Sequence, residues 1–272
     1  MESRPVVLVV HKRSDDQMTN HLLLNNIAHS RLRVITRYSA EYGDNVHAVL
    51  TFPTEYGDIQ REYPIVFRKN DATGEFQSVA LLGLTRDENL FLDDGKWSAS
   101  YVPGIVARGP FLIGFQEQQV DGEMRRQAVI HVDVDDPRVN ETEGEALFLE
   151  HGGSTPYLTR ISAILSGIQE GLAVAKPMFA AFESLELLEQ VKIEADVLDD
   201  VKYVLRGFYT INRQKLAQLD GDALEKLNKA GYLEGAFLAM ASLNNIRKLI
   251  DMKRQRVTAN QDAGSVSEKD DT

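Results

Sequence analysis

The apolar residues of this 272-residue chain change their spacing near residue 154, and this change restricts the possible folds more than any other feature. Before it, short β-branched and aromatic runs end in turn-forming residues. Such runs are typical of strands, and hairpin-length loops between them indicate antiparallel pairing. Residues 63–67 and 77–84 are expected to pair in this way, and residues 111–115 and 127–134 are two more predicted strands on either side of a polar loop. We therefore predict a mainly antiparallel β N-terminal half.

After residue 154, apolar residues recur at steps of three and four, which is the spacing of one helical face. Residues 154–156 (Ser-Thr-Pro) suit a helix start, because a hydroxyl caps free N–H groups and proline fits the first turn. Pro177 is expected to break or restart this helix. A long amphipathic helix follows over 233–250, and basic residues at 247–256 suit the negative pole of its dipole.

An insertion of β character interrupts the helical half. Apolar and charged residues alternate on both sides of the acidic turn at Asp199 and Asp200, which predicts a hairpin over 191–211. The fold class is therefore α+β, with a mainly antiparallel β N-terminal half and a mainly helical C-terminal half that contains an inserted β-hairpin. We expect the two halves to share one core.

Both ends of the chain differ from its middle. Residues 1–28 show only a weak pattern, and we assign them to an N-terminal extension. Residues 258–272 are polar and acidic with few apolar side chains, which predicts a disordered tail. Between them, we predict a single domain over residues 29–257.

Charge and cysteine content exclude several classes of protein. Thirty Lys and Arg stand against 41 Asp and Glu, a net charge of -11. Nucleic-acid binding needs clustered basic residues, so no nucleic-acid partner is expected. The absence of cysteine excludes disulfides, thiolate metal sites and thiol nucleophiles. The oligomeric state is left open.

Targeting signals are absent from the sequence. The first apolar run, residues 6–10, is shorter than a signal-peptide core, and its basic residues follow rather than precede it. No run of eighteen apolar residues occurs, so no transmembrane segment is expected. We expect a soluble, cytoplasmic protein; the alternative is export to the cell surface without a cleavable signal peptide.

A set of short motifs in a fixed order resembles the SapC family of bacterial proteins over roughly residues 29–250. The motifs lie at residues 61–67, 80–83, 88–91, 97, 101–103, 108–111, 144–148, 155–158, 231–233 and 239–245. The chain departs from the pattern at Arg108-Gly109-Pro110-Phe111, where relatives often have Arg-Tyr-Pro-Phe.

The resemblance implies an accessory protein of Gram-negative bacteria and no established reaction. The family takes its name from a gene region linked with surface-layer proteins, which implies a possible association with the cell surface. The resemblance supplies no active-site residues for this chain.

His131 and Asp133 are the sharpest candidates for metal chemistry. Two residues apart on a strand, they point to one face, as in the facial triad of non-haem iron enzymes. The triad needs a second histidine, and His151 follows only eighteen residues later. The alternative is a strand end that runs into an acidic turn. That turn could hold Ca²⁺ through Asp133, Asp135, Asp136 and Glu141, but it lacks the glycine spacing of a defined calcium loop.

No motif indicates a nucleophile or a nucleotide cofactor. The chain has no Gly-x-Ser-x-Gly elbow, no dinucleotide-binding glycine pattern and no phosphate-binding loop. We therefore predict no cofactor, and Ser154 is interpreted as part of a helix cap.

Aromatic residues within the matched motifs are the remaining candidates for a site. We single out Tyr63, Trp97, Tyr101 and Arg108 as partner-binding residues, because aromatics with arginine are typical anchors of binding surfaces. The alternative is that they belong to the β core. The favoured hypothesis is a non-enzymatic accessory protein that binds a protein or peptide partner. The alternatives are a surface-layer component and a metal-dependent enzyme that uses His131 and Asp133.

Overall fold

Antiparallel sheets and helices occur together in this chain. The computed structural model describes residues 6–7, 20–120, 123–198 and 201–267. Strands lie mostly in the N-terminal half and helices mostly in the C-terminal half. The α+β fold class is therefore confirmed.

The strands are β1 Val6–Val7, β2 His21–Leu23, β3 Arg33–Val34, β4 Ala48–Leu50, β5 Ile65–Lys69, β6 Phe76–Leu81, β7 Leu92–Asp93, β8 Lys96–Trp97, β9 Phe111–Val120, β10 Glu123–Asp133, β11 Val139–Asn140, β12 Glu145–Ala146, β13 Leu188–Leu198 and β14 Val201–Ile211. The helices are α1 Tyr56–Ile59, α2 Gly104–Ala107, α3 Pro156–Ser184, α4 Arg213–Ala217, α5 Gly221–Lys229, α6 Tyr232–Ser242 and α7 Asn245–Ser267, with 3₁₀ turns at Ala40–Tyr42 and Pro53–Glu55.

The chain forms two compact units. The first unit comprises Met1–Asp44, Asp94–Lys96 and Gly104–Glu170, and the second comprises Asn45–Asp93, Trp97–Pro103 and Gly171–Thr272. The single domain predicted over residues 29–257 stays a prediction.

The first unit contains a four-stranded antiparallel sheet in the order β1-β9-β10-β2 and a small sheet in the order β11-β3-β12. One face of the larger sheet packs against the first half of α3. The core formed there consists of Val34, Phe111, Ile113, Val132, Leu147, Tyr157, Leu158, Ile161 and Leu165. The strands predicted at 111–115 and 127–134 are confirmed as parts of β9 and β10, and the structure shows that these two strands pair antiparallel along their length.

The start of α3 follows from the local sequence. Thr155 Oγ1 accepts a hydrogen bond from the backbone N–H of Leu158 at 3.3 Å, and Pro156 is the first helical residue. The hydroxyl thus satisfies one of the free N–H groups of the first turn, as predicted for this segment.

The second unit is built on a five-stranded antiparallel sheet in the order β13-β14-β5-β6-β4. The hairpin predicted over 191–211 is confirmed as β13 and β14, and its turn at Asp199 and Asp200 lies outside the described residues. Buried rings fill the core, and Phe67 packs edge-on against Phe179 with their centroids 5.1 Å apart.

The predicted interruption at Pro177 is wrong. The helix α3 runs from Pro156 to Ser184 with Pro177 inside it. An internal proline costs about 3 kcal/mol through a lost hydrogen bond and a clash. Three side chains that follow it, Met178, Phe179 and Phe182, are almost completely buried. Burial contributes roughly 1.5–3 kcal/mol for each of these side chains, which together more than offsets the cost of the proline.

The long helix predicted over 233–250 is also different in the structure, where this stretch is divided between α6, which ends at Ser242, and α7, which begins at Asn245. The helix α7 continues past Val257 to Ser267, into the stretch predicted as a disordered tail. Residues 268–272, most of the N-terminal extension and the turn at Asp121 and Gly122 lie outside the described residues. Within the part of the chain that is described, no helix is both long and apolar enough to cross a membrane.

Candidate functional site: a hydrogen-bonded aromatic loop

Tyr63 is the buried centre of an aromatic group in the second unit. It lies between α1 and β5 and is 0% exposed. Its ring centroid is 4.5 Å from that of Phe91. The side chain of Asn245 donates to the backbone carbonyls of Gln60 and Tyr63, at 2.8 and 3.2 Å. The backbone around Tyr63 is therefore held by the beginning of α7.

Trp97 contacts this group through both its indole N–H and its aromatic ring. It follows the tight turn at Asp94 and Gly95, whose φ values of 40° and 77° lie in the left-handed region. Its Nε1 donates a hydrogen bond to Tyr63 Oη at 2.7 Å. Its ring stacks on that of Phe91, with the ring centroids 6.4 Å apart and an angle of 12° between the ring planes. Indole N–H groups usually find a partner when they are buried, and here the residue as a whole stays partly exposed.

Tyr101 completes the arrangement from the same loop. Its carbonyl accepts a hydrogen bond from Tyr63 Oη, and its own hydroxyl donates to Glu55 Oε2 at 2.7 Å. We call residues 97–103, which carry Trp97 and Tyr101, the aromatic loop. Trp97 and Tyr101 are therefore each hydrogen-bonded to a buried side chain, Trp97 to Tyr63 and Tyr101 to Glu55.

Glu55 is a buried carboxylate with its oxygens partnered. Its Oε1 accepts from Thr51 Oγ1 at 2.8 Å and from the backbone N–H of Phe52 at 3.3 Å, and the residue is only 8% exposed. Burial, together with the negative charge of Glu55, raises the pKa of the Tyr101 hydroxyl well above its usual range. Tyr101 is thus a neutral hydrogen-bond donor at physiological pH.

Glu62 provides a second attachment of the aromatic loop. Its Oε1 accepts from the backbone N–H of Ser100 at 2.7 Å and from the Ser100 hydroxyl, and its Oε2 accepts from Lys248 Nζ at 3.0 Å. Burial opposes ionisation, but the hydrogen bonds from Ser100 and Lys248 outweigh it and lower the pKa of Glu62. Lys248 Nζ also lies 5.1 Å from the ring centroid of Phe91.

Basic residues of α7 hold the segment that carries Phe91. The Arg256 guanidinium donates to the carbonyls of Asn89, Leu90 and Leu92, at 3.1, 3.0 and 2.6 Å. Lys253 Nζ forms an ion pair with Glu88 at 2.5 Å, and both side chains are mostly buried. The basic cluster of α7, interpreted from the sequence as a complement to the helix dipole, therefore binds a loop of the same unit.

The structure brings together three of the four predicted site residues. Tyr63, Trp97 and Tyr101 form one hydrogen-bonded group in the second unit. Arg108 lies in the first unit, where it is 7% exposed and its Nη1 donates to the carbonyl of Phe111 at 2.6 Å. Burial and the nearby charge of Arg138 lower its pKa to about 10.

A family comparison agrees with the motifs found in the sequence. A protein-family model named SapC matches residues 24–249 of the chain. The chain belongs to the SapC family. No curated protein and no solved structure matches it.

The sequence did not indicate the residues that hold the aromatic loop of this SapC protein. Glu55, Glu62 and Lys248 were not among the predicted site residues, although each touches the loop or its support. One signal was present. Leu249, Lys253 and Arg256 share one helical face at steps of four and three, and Leu249 is 0% exposed. Basic residues on the same stripe as a buried leucine indicate contacts with the protein rather than with solvent.

The proposed metal ligands of the SapC protein lie in the first unit. Asp133 Oδ1 accepts from the backbone N–H groups of Asn20 and Asp135, at 3.3 and 3.2 Å, and His151 lies in an exposed loop before α3. Within the described ranges, no group of three or more His, Cys, Asp or Glu residues could hold a metal ion. Metal chemistry through His131 and Asp133 stays a hypothesis.

The acidic turn that follows β10 is held by an arginine. Arg138 is bound to both carboxylate oxygens of Asp136, with Nε–Oδ1 at 3.0 Å and Nη2–Oδ2 at 2.8 Å. Both side chains are almost completely buried. This bidentate pair uses the carboxylate that a calcium ion would require, which disfavours the calcium hypothesis.

Proposed function

We propose that this SapC-family protein is a non-enzymatic accessory protein that binds a protein or peptide partner through the aromatic loop. The observation that carries the proposal is the geometry of Trp97 and Tyr101. Both residues are partly exposed, while their polar groups are hydrogen-bonded to the buried Tyr63 and Glu55. The loop thus offers two aromatic surfaces in a fixed arrangement.

A fixed aromatic loop favours binding for an energetic reason. Binding is weakened when flexible side chains must become ordered, by roughly 0.5–1.5 kcal/mol for each side chain. Trp97 and Tyr101 are already ordered by hydrogen bonds, so this unfavourable contribution is smaller when a partner packs against them. Aromatic residues that sit in such positions are common centres of binding energy.

The four residues chosen from the sequence would have different roles in partner binding. Trp97 and Tyr101 would contact the partner. Tyr63 is 0% exposed and would act as the support that orients both of them. Arg108 is buried in the first unit and is not included in the binding surface.

Affinity capture with matched variants tests the proposal. The full-length protein is used as bait in lysate of its native cells, and captured proteins are quantified by mass spectrometry. We expect a partner that is enriched by the wild type and lost with Trp97→Ala. The control is Phe237→Ala, which removes another exposed aromatic side chain (54% exposed) of the same unit and should keep the partner. A set of captured proteins that does not change with Trp97→Ala would contradict the proposal.

Tyr101→Phe provides a milder test, because it keeps the ring and removes only the hydroxyl that binds Glu55. The loop should become less ordered, so the identified partner should bind more weakly than to wild type but more tightly than to Trp97→Ala. Equal binding by Tyr101→Phe and wild type would show that the fixed geometry of Tyr101 does not contribute.

We also propose a cytoplasmic location for this protein. Fractionation of native cells with an antibody against the protein tests this. Recovery in the cytoplasmic fraction is the expected result, and recovery with the cell surface would favour the surface-layer alternative instead.

A further inference from the structure

The strand β13 is an open edge of the five-stranded sheet in the second unit. It stands at the end of the strand order, and β14 is its only neighbour among the described strands. No hydrogen bond from another described loop or helix reaches the backbone of residues 188–196. Beyond this stretch, Arg254 Nε donates to the carbonyl of Val197 at 2.8 Å. Unpaired backbone groups on an edge strand form a template for pairing with another strand.

No irregularity within β13 blocks such pairing over residues 188–196. Its pairing with β14 contains two bulges. At the first, two residues of β14 stand against one of β13, and the left-handed Gly207, with a φ of 85°, lies in β14. At the second, the extra residue is Val197 of β13, which follows this stretch. Bulges are one way in which proteins protect sheet edges, and here the outer strand stays regular up to the second bulge.

The exposed face of this stretch carries the side chains that determine how it can pair. Its residues alternate along the strand with buried ones such as Ile193 and Ala195. The exposed residues are Gln190, Lys192, Glu194 and Asp196. In an antiparallel pair, opposite residues share one face, and like charges directly opposite each other are destabilising. The register of any pairing on this edge therefore depends on these side chains.

The strand is complementary to a second copy of itself. With Ile193 on a two-fold axis, Lys192 of each copy lies opposite Glu194 of the other copy. The same register places Gln190 opposite Asp196, an amide donor against a carboxylate acceptor. A two-fold axis at Lys192 or at Glu194 would instead bring two like charges together. The register about Ile193 is therefore the one in which both of these charges face a charge of opposite sign.

We propose that two copies of this chain associate through β13, paired antiparallel about a two-fold axis at Ile193. The five strands of each copy then continue into one sheet across the interface. Backbone hydrogen bonds hold the two strands together, and the pairing of Lys192 with Glu194 selects a second copy and fixes the register. This surface uses residues outside the aromatic loop, so the association does not depend on the proposed partner binding.

Sedimentation velocity of the full-length protein measures the association. A strand pair is a small interface, so we expect a reversible monomer–dimer equilibrium between about 1 µM and about 200 µM. A species with twice the mass of one chain should increase with concentration. A protein that stays monomeric over this range would overturn the proposal and would leave the edge to an extended segment of another protein.

A charge exchange tests the register. Lys192→Glu and Glu194→Lys each bring like charges together across the two-fold axis. Both side chains are exposed in the single chain, at 46% and 60%, so neither change should affect folding. Each single variant should weaken dimerisation by at least about tenfold. The double variant restores opposite charges and should return to within about threefold of wild type.

Lys226→Glu is the matched control, because it makes an equal change of charge on the exposed surface of α5. It should dimerise as wild type does. Equal dimerisation by wild type, both single variants and the double variant would overturn the proposal.

Amide hydrogen exchange locates the interface without any substitution. Amides of residues 188–196 that point away from β14 should lose protection when the dimer is diluted. Amides of β6, in the interior of the same sheet, should not change. Loss of protection confined to another segment would place the contact elsewhere and would also overturn the proposal.

Discussion

The aromatic loop of the second unit and the histidine pair of the first unit, His21 and His131, differ in how their buried polar atoms are satisfied. In the loop, Glu55 accepts three hydrogen bonds, and Tyr63 Oη both accepts one and donates one. In the histidine pair, three imidazole nitrogens have no partner among the described residues. Partnered atoms hold the loop in one arrangement, whereas the unpartnered imidazole nitrogens make the folded sheet less stable.

The largest expected effect on stability is that of Glu55→Ala, in the hydrogen-bonded network of the aromatic loop. This substitution leaves the hydroxyls of Tyr101 and Thr51 and the amide of Phe52 without their acceptor. We expect a loss of about 3 kcal/mol in the free energy of unfolding, measured with urea. Glu75→Ala removes an exposed carboxylate of the same unit and should leave stability nearly unchanged. Equal effects of the two variants would show that the network around Glu55 does not stabilise the unit.

A smaller effect is expected where the histidine pair is tightly packed. A Cβ atom added at Gly114 would lie 2.5 Å from His131 Cε1 and 2.6 Å from its Nδ1. Gly114→Ala should therefore destabilise the protein by about 2 kcal/mol, as overpacking usually does. In a His131→Ala background the same change should cost far less, because the clashing ring is gone.

Gly167→Ala is the matched control for that experiment. It lies within α3, and a Cβ there meets no atom within 4 Å. Alanine is the better helix former, so this variant should stabilise the protein by about 0.5–1 kcal/mol. A destabilised Gly167→Ala variant would mean that substitution of glycine, rather than contact with His131, causes the loss at Gly114.

Tyr101→Phe should have a more modest effect on stability, about 1 kcal/mol, because it removes one hydrogen bond to a carboxylate at a half-exposed site. The pKa of Tyr101 is raised in the folded protein. Its contribution is therefore complete below about pH 10 and is lost as the pH rises further. Urea unfolding of wild type should weaken more steeply than that of Tyr101→Phe in this alkaline range, and parallel curves would contradict the assignment.

The smallest effect at neutral pH is expected for His21→Leu. Its two nitrogens have no described partner, so an apolar replacement should change the free energy of unfolding by no more than about 0.5 kcal/mol. A large loss at neutral pH would reveal a partner for the imidazole and would remove the contrast between the two regions.

Local patterns in the sequence predicted the fold class and several elements. The strands that became β5 and β6, the hairpin β13–β14 and the capped start of α3 each depend on neighbouring residues. Pro177 shows the limit of such patterns. A proline is a local signal to break a helix, but the burial of Phe179 and Phe182 depends on side chains that arrive from elsewhere in the chain.

The candidate site was only partly visible in the sequence. Motif aromatics at 63, 97 and 101 proved to lie together, whereas Arg108, close in sequence to Tyr101, lies in the other unit. Closeness along the chain therefore did not imply membership of the same compact unit. Lys248 could not have been linked to Glu62 from the sequence, because 186 residues separate them.

The sequence by itself determined the α+β class and the membership of the SapC family, since periodicity, helix caps and ordered motifs are properties of neighbouring residues. Only the tertiary structure decided which polar groups found partners. Glu55 gained Tyr101 through a contact across 46 positions, whereas both nitrogens of His21 and Nδ1 of His131 are buried without a hydrogen bond from any described residue. The physical reason is that hydrogen bonding and desolvation depend on atoms within a few ångströms in space, wherever those atoms lie in the chain.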